Sequence, residues 1–175
     1  MPRSAVIVAV PEAETVVRDW RRQHTYDAPL GVPAHVTLLF PFVPAHRLGD
    51  AEPRLREIVA AAPQFELAFS RTARFPGVLY LEPDAAGPFC ALTDAIAAEW
   101  PEHPPYEGAH ETVIPHLTVA ESEAQELLDR IAADVEASLP LRTHVHEATL
   151  IVEDEDGRWS EHGRLPLGAG APLLD

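Results

Sequence analysis

One short pattern, His-apolar-Thr-apolar inside an apolar run, occurs twice, and both copies hold the same place in a repeated order of segments. The copies are His35-Val36-Thr37-Leu38 and His116-Leu117-Thr118-Val119, with their histidines 81 residues apart (35 and 116). Each copy follows a strand-like run that ends at a proline: residues 5–10 before Pro11, and residues 78–82 before Pro83. Between run and motif lies a helical stripe, Ala13, Val16, Val17 and Trp20 in the first half and Phe89, Leu92, Ile96 and Trp100 in the second. After each motif comes another stripe. Leu55, Ile58, Val59 and Ala62 form one, with Asp50 as its expected N-cap. Leu127, Leu128, Ile131 and Val135 form the other, opened by the capping-box pattern Ser122-x-x-Gln125. A strand then follows in each half, residues 65–69 and 145–152, and a last hairpin turns at Glu155-Asp156-Gly157. The order strand, helix, His-strand, helix, strand thus appears twice, which predicts an α+β chain built by duplication.

On a strand, residues two apart face the same way. Each motif therefore presents an imidazole beside a hydroxyl. Two such pairs facing one another supply two proton carriers and two hydrogen-bond donors around one centre, a set suited to cleaving a phosphodiester without a metal. A single His-x-Thr carries little weight, since most strand histidines have no such role. The second copy in a matching setting is what gives the pattern force.

On these motifs, their spacing and the duplicated order, the chain resembles the 2H phosphoesterase superfamily, the two-histidine group that includes 2'-5' RNA ligase-like proteins and cyclic nucleotide phosphodiesterases. The resemblance covers roughly residues 4–167. It implies a bilobal fold of two antiparallel sheets around a central cleft, in one domain over 1–175 with pseudo-symmetric lobes (roughly 1–75, with strand exchange, and 76–167). It implies chemistry on 2',3'-cyclic phosphates or 2'-5' linkages of nucleotides or short RNA, with no cofactor. Carried over residue by residue, the catalytic set is His35, Thr37, His116 and Thr118. Several RNA-acting members carry a basic residue just after the second motif, whereas this chain reads Ala120-Glu121-Ser122-Glu123.

Charge bears on the substrate. There are 28 acidic against 13 basic residues, a formal net charge of −15. A long polyanion needs many cationic contacts, so a small cyclic phosphate or short oligonucleotide is the expected partner, and long RNA is disfavoured. Arg18, Arg21 and Arg22 in one helix and Arg71 and Arg74 in one strand are the local cations, and such groups ordinarily form a solvated face. Lysine is absent. That excludes a GxxxxGK[ST] loop and an adenylylated-lysine ligase mechanism. Cys90 is the single cysteine, flanked by apolar residues that suggest a buried helix position, so neither an intrachain disulfide nor a cysteine-rich zinc site is available. The N-terminal apolar run is too short for a signal sequence or membrane span; a cytoplasmic monomer is expected.

Seven further histidines lie outside the motifs, at positions 24, 46, 103, 110, 144, 146 and 162. His144 and His146, on one strand face, could chelate a metal, but no Asp/Glu-His pattern completes a ligand set, so no metal is assigned. Tyr80, Phe40, Phe42 and Tyr106 are candidates for stacking on a base, although strand aromatics are more often core. The proline-rich loop 101–108 is a rigid connection or a lid. Two other classes compete with the phosphoesterase reading: a non-catalytic module binding a nucleotide or cyclic phosphate, and a metal-dependent hydrolase using His144 and His146.

Overall fold

The computed structural model describes residues 1–109 and 112–169 of the 175-residue chain. His110 therefore lies outside the described residues. The strands are β1 (Ser4–Ala9), β2 (His35–Leu39), β3 (Phe65–Phe75), β4 (Val78–Pro83), β5 (Leu117–Glu121), β6 (Leu141–Val145), β7 (Glu147–Glu153) and β8 (Trp159–Pro166). The helices are α1 (Glu14–His24), α2 (Leu48–Ala61), α3 (Gly87–Glu99) and α4 (Gln125–Glu136).

The strands form two antiparallel four-stranded sheets, in the orders β2-β1-β7-β8 and β5-β4-β3-β6. The fold is the expected α+β arrangement, two sheets around a cleft. Each sheet borrows from the other half of the chain. β3 leaves the first half to pair with β4 and β6, and the β7–β8 hairpin returns to pair with β1. The helices cross over as well: α1 packs on β5 and α3 on β2. Both motif strands stand at the end of their sheet, and β2 packs beside β5 where the sheets meet. The main core joins residues from both halves, among them Val36, Leu38, Phe69, Leu79, Phe89, Leu117, Ile131 and Leu150.

Local differences from the expected elements have local causes. α2 begins at Leu48 after a 3-10 turn at Ala45–Arg47, so Asp50 sits inside the first turn and not at the N-cap. Ala124 occupies the N-cap of α4, and the Ser122 hydroxyl accepts the Ala124 N–H at 3.0 Å. Ser122 bonds so near in sequence that it makes a turn and leaves the helix uncapped. The expected strand 145–152 breaks at His146, where the chain passes from one sheet to the other. The α3 stripe is buried throughout. On α1, Ala13, Val17 and Arg21 form the fully buried line, and Val16 and Trp20 are half-buried. Cys90 is half-buried, less than its neighbours suggested.

Candidate active site

The two motifs are held alike. Alternation sends Val36, Leu38, Leu117 and Val119 into the core and leaves His35, Thr37, His116 and Thr118 half-buried on the opposite face. The Nδ1–H of His35 donates to the Pro33 carbonyl at 2.7 Å, and that of His116 donates to the Ile114 carbonyl at 2.7 Å. In each case the acceptor is two residues upstream. A carbonyl can only accept, so in the neutral ring Nε2 carries the lone pair. The Thr37 hydroxyl lies 3.1 Å from Nε2 of His35.

Environment separates the two rings from ordinary histidines. Burial pushes the His35 pKa down. The charges of Arg21 and His116 act in the same direction, while Asp27 and the Pro33 carbonyl oppose. His116 stands edge-on to Phe75 at 5.2 Å and Tyr80 at 5.4 Å, and those two rings stack at 4.4 Å. The cleft over the second motif has a volume of ≈ 460 Å³, and Phe75, Val78, Tyr106, Ile114, Glu121, His116 and Thr118 are among its lining residues.

Of the four aromatics expected to stack on a base, Tyr106 lines this cleft. Its hydroxyl shares a hydrogen bond with Thr37, and burial raises its pKa. Its N–H donates to the Phe40 carbonyl at 2.6 Å. Tyr106 (φ 51°) and Glu107 (φ 55°) are consecutive left-handed residues, strain of about 1–3 kcal/mol each that the loop sustains to reach across the cleft. Phe40 is half-buried against Trp159, with the Arg3 guanidinium 5.3 Å from its ring. Phe42 is a correction: it is 2 % exposed and packs edge-on to Trp100, so it has no face to offer a ligand. Tyr80, 5 % exposed, lies under His116 and supports the imidazole.

His144 and His146 do not share a strand face, because the strand ends between them. Glu66 and Gln64 each approach one ring nitrogen of His144, at 2.7 and 3.0 Å, and both histidines line a separate small cavity without the motif residues. Among the described residues no group of three or more His, Cys, Asp or Glu side chains is arranged to hold a metal ion. None of the described helices is long and apolar enough to cross a membrane.

Arg21 is the residue that sequence reasoning misplaced. Read as part of a solvated face, it is 1 % exposed. Its guanidinium donates to the Thr118 carbonyl at 2.6 Å, to Asp27 at 3.1 Å, and to the Pro33 and Val32 carbonyls at 3.3 and 3.4 Å. The Pro33 carbonyl is the one that orients His35, so a single cation ties both motifs together. The available signal was its place at i+4 from Val17 and i+8 from Ala13 on the core-facing line. Phe75 was also missed, since the bulge between Phe69 and Arg71 breaks the alternation that leads to it.

Residues 9–157 match the model of the 2'-5' RNA ligase superfamily. The chain belongs to that family. No curated protein matches the sequence. Among solved structures, TT0787 of Thermus thermophilus aligns with a TM-score of 0.65 at 20% identity, over 97% of this chain and 100% of that one. The structure of E. coli LigT complexed with 3'-AMP aligns at 0.62 and 20% identity, over 95% and 99%. A structure described as a phosphoesterase aligns at 0.59 and 17% identity, over 96% and 99%. These likenesses show that the fold is shared over nearly the whole chain, and membership makes the chain a phosphoesterase-family protein.

Proposed function

We propose that the protein is a metal-independent phosphoesterase acting on 2',3'-cyclic phosphates or 2'-5' phosphodiester linkages of nucleotides or short RNA. The observation that carries this reading is the matched pair of imidazoles, each with Nδ1–H bound to a carbonyl two residues upstream. Each ring is thereby set to work through Nε2. His35, whose burial favours the neutral form, takes a proton from water as the water oxygen attacks phosphorus. His116 in its protonated form gives a proton to the departing ribose oxygen, so the ester opens with net addition of water. Thr37 and Thr118 donate to the non-bridging oxygens, where charge grows in the transition state. Each proton transfer contributes roughly 10²- to 10⁴-fold. Small ligands suit the cleft, and the LigT structures that contain 3'-AMP, NADP+ and ATP lend the nucleotide reading support.

The test is turnover of a panel of 2',3'-cyclic mononucleotides, 2'-5' oligonucleotides and ADP-ribose cyclic phosphate, with and without EDTA. Hydrolysis of at least one substrate, undiminished by EDTA, is the expected result. Nucleotide binding without turnover of any of them would favour the binding-module reading. Activity lost on chelation and restored by a stoichiometric metal would overturn the mechanism.

A further inference from the structure

Glu121 is an odd number of residues from both His116 and Thr118, so plain alternation would turn it away from them. A bulge reverses this. Opposite β4, Thr118 pairs with Tyr80, Ala120 with Leu79 and Glu121 with Val78, which leaves Val119 as an extra residue. Val119 and Ala120 are both buried. Glu121 then comes round to the motif side, where it is exposed and lines the cleft with His116, Thr118, Phe75 and Tyr106. Three strand residues place it about 10 Å beyond Thr118, comparable with the span from a nucleotide's phosphate to the far edge of its base.

The first lobe has the same bulge, with Leu38 as the extra residue, and Phe40 stands at the position equivalent to Glu121. The equivalent position thus carries an aromatic ring after the first motif and a cleft-lining carboxylate after the second. That carboxylate accepts one hydrogen bond from the Tyr26 backbone N–H, while burial, and then the charge of Asp27, raise its pKa. An ionised carboxylate has about four acceptor sites, so it can accept from a ligand beside Tyr26. It repels a second phosphate and attracts N–H donors.

Resting on the phosphoesterase reading above, we propose that Glu121 sets base specificity by accepting hydrogen bonds from two adjacent N–H donors of a nucleobase. Guanine is the RNA base that presents such a pair on one edge. Adenine and cytosine set a single amino group beside an acceptor, and uracil flanks its N–H with two carbonyls. Phe75 and Tyr106 supply apolar walls for the ring.

Binding of guanosine and uridine 3'-monophosphates is measured beside kcat/KM for the matching 2',3'-cyclic phosphates, in the wild type and in Glu121→Gln. The wild type should prefer guanine by at least about tenfold in both, the scale of one good bidentate base contact. Glu121→Gln should bring the ratio within about threefold while leaving the uridine values unchanged or improved. An absent preference in the wild type, or a preference that survives Glu121→Gln, overturns the proposal. A uniform loss for both bases also overturns it, since that is the mark of a residue that only holds the Tyr26 loop. If the binding preference and its loss stand while no cyclic phosphate is hydrolysed, the phosphoesterase reading falls and the base site remains.

Discussion

At the scale of single residues, the two imidazoles are anchored alike at Nδ1 and are unequal in surroundings. Both imidazoles donate Nδ1–H to a carbonyl at 2.7 Å. His35→Ala and His116→Ala should each lower kcat/KM by at least about a hundredfold on a verified substrate, the low end for a lost proton carrier. Thr37→Val and Thr118→Val each remove one donor and should cost less. Near-full activity in either histidine variant, with folding intact by circular dichroism, would remove the paired mechanism. The lowered His35 pKa gives two signs. As a base in the free enzyme, His35 should set an acid limb of kcat/KM below pH ~6.5, the unperturbed histidine value. A histidine whose pKa is lower folded than unfolded binds fewer protons in the native state. Its contribution to stability is therefore complete above pH ~6.5 and is lost as pH falls. Denaturant midpoints for wild type and His35→Gln across pH 5 to 8 should converge toward the acid end.

At the scale of elements, what matters is how α1 and the segment before β2 brace the motif strands. Arg21 holds the Thr118 carbonyl of β5 and the Pro33 carbonyl ahead of β2. Arg21→Met should cost about 3 kcal/mol or more, because several carbonyls lose their donor at roughly 1–3 kcal/mol each. Asp27 is partly exposed and can rehydrate, so it adds little. Arg21→Lys keeps the charge but has no planar fork to span both strands; it should recover stability in part, and activity less. Urea unfolding beside turnover separates the two effects. Gly31 is a second brace. Its φ is +102°, and a Cβ there would lie 2.6 Å from the Trp159 carbonyl oxygen of β8. Gly31→Ala combines backbone strain with that clash, so a loss of more than about 1 kcal/mol is expected. A stability change near zero would mean that the segment is free to shift.

At the scale of the molecule, charge decides what can approach. The net charge is −15, and four of the five arginines considered as a basic patch, all but Arg22, are engaged elsewhere. Arg74 pairs with Asp129 at 2.7 Å, Arg71 with Glu82, Arg18 with Glu14, and Arg21 is internal. Long single-stranded RNA should therefore bind weakly, with a log–log salt slope shallower than about −1.5, equivalent to no more than two neutralised phosphates. A steep slope from a titration between 50 and 200 mM salt would show that the arginines exchange their carboxylate partners for phosphates.

Sequence by itself determined the α+β class, the repeated order of elements and the four motif residues, because period 2 and period 3.6 are local and survive divergence between the halves. It also marked Glu121 as the acidic departure after the second motif. Which strands pair was decided only by tertiary structure. β3 and the β7–β8 hairpin exchange sheets, and His146 marks the crossing, since pairing depends on distant partners that no local period encodes. The same holds for Arg21, whose carbonyl partners Pro33 and Thr118 lie 12 and 97 residues away. It holds for Phe42 and Tyr80, aromatics that the interior claimed. It holds most directly for Glu121, which one extra residue in β5 turned into the cleft.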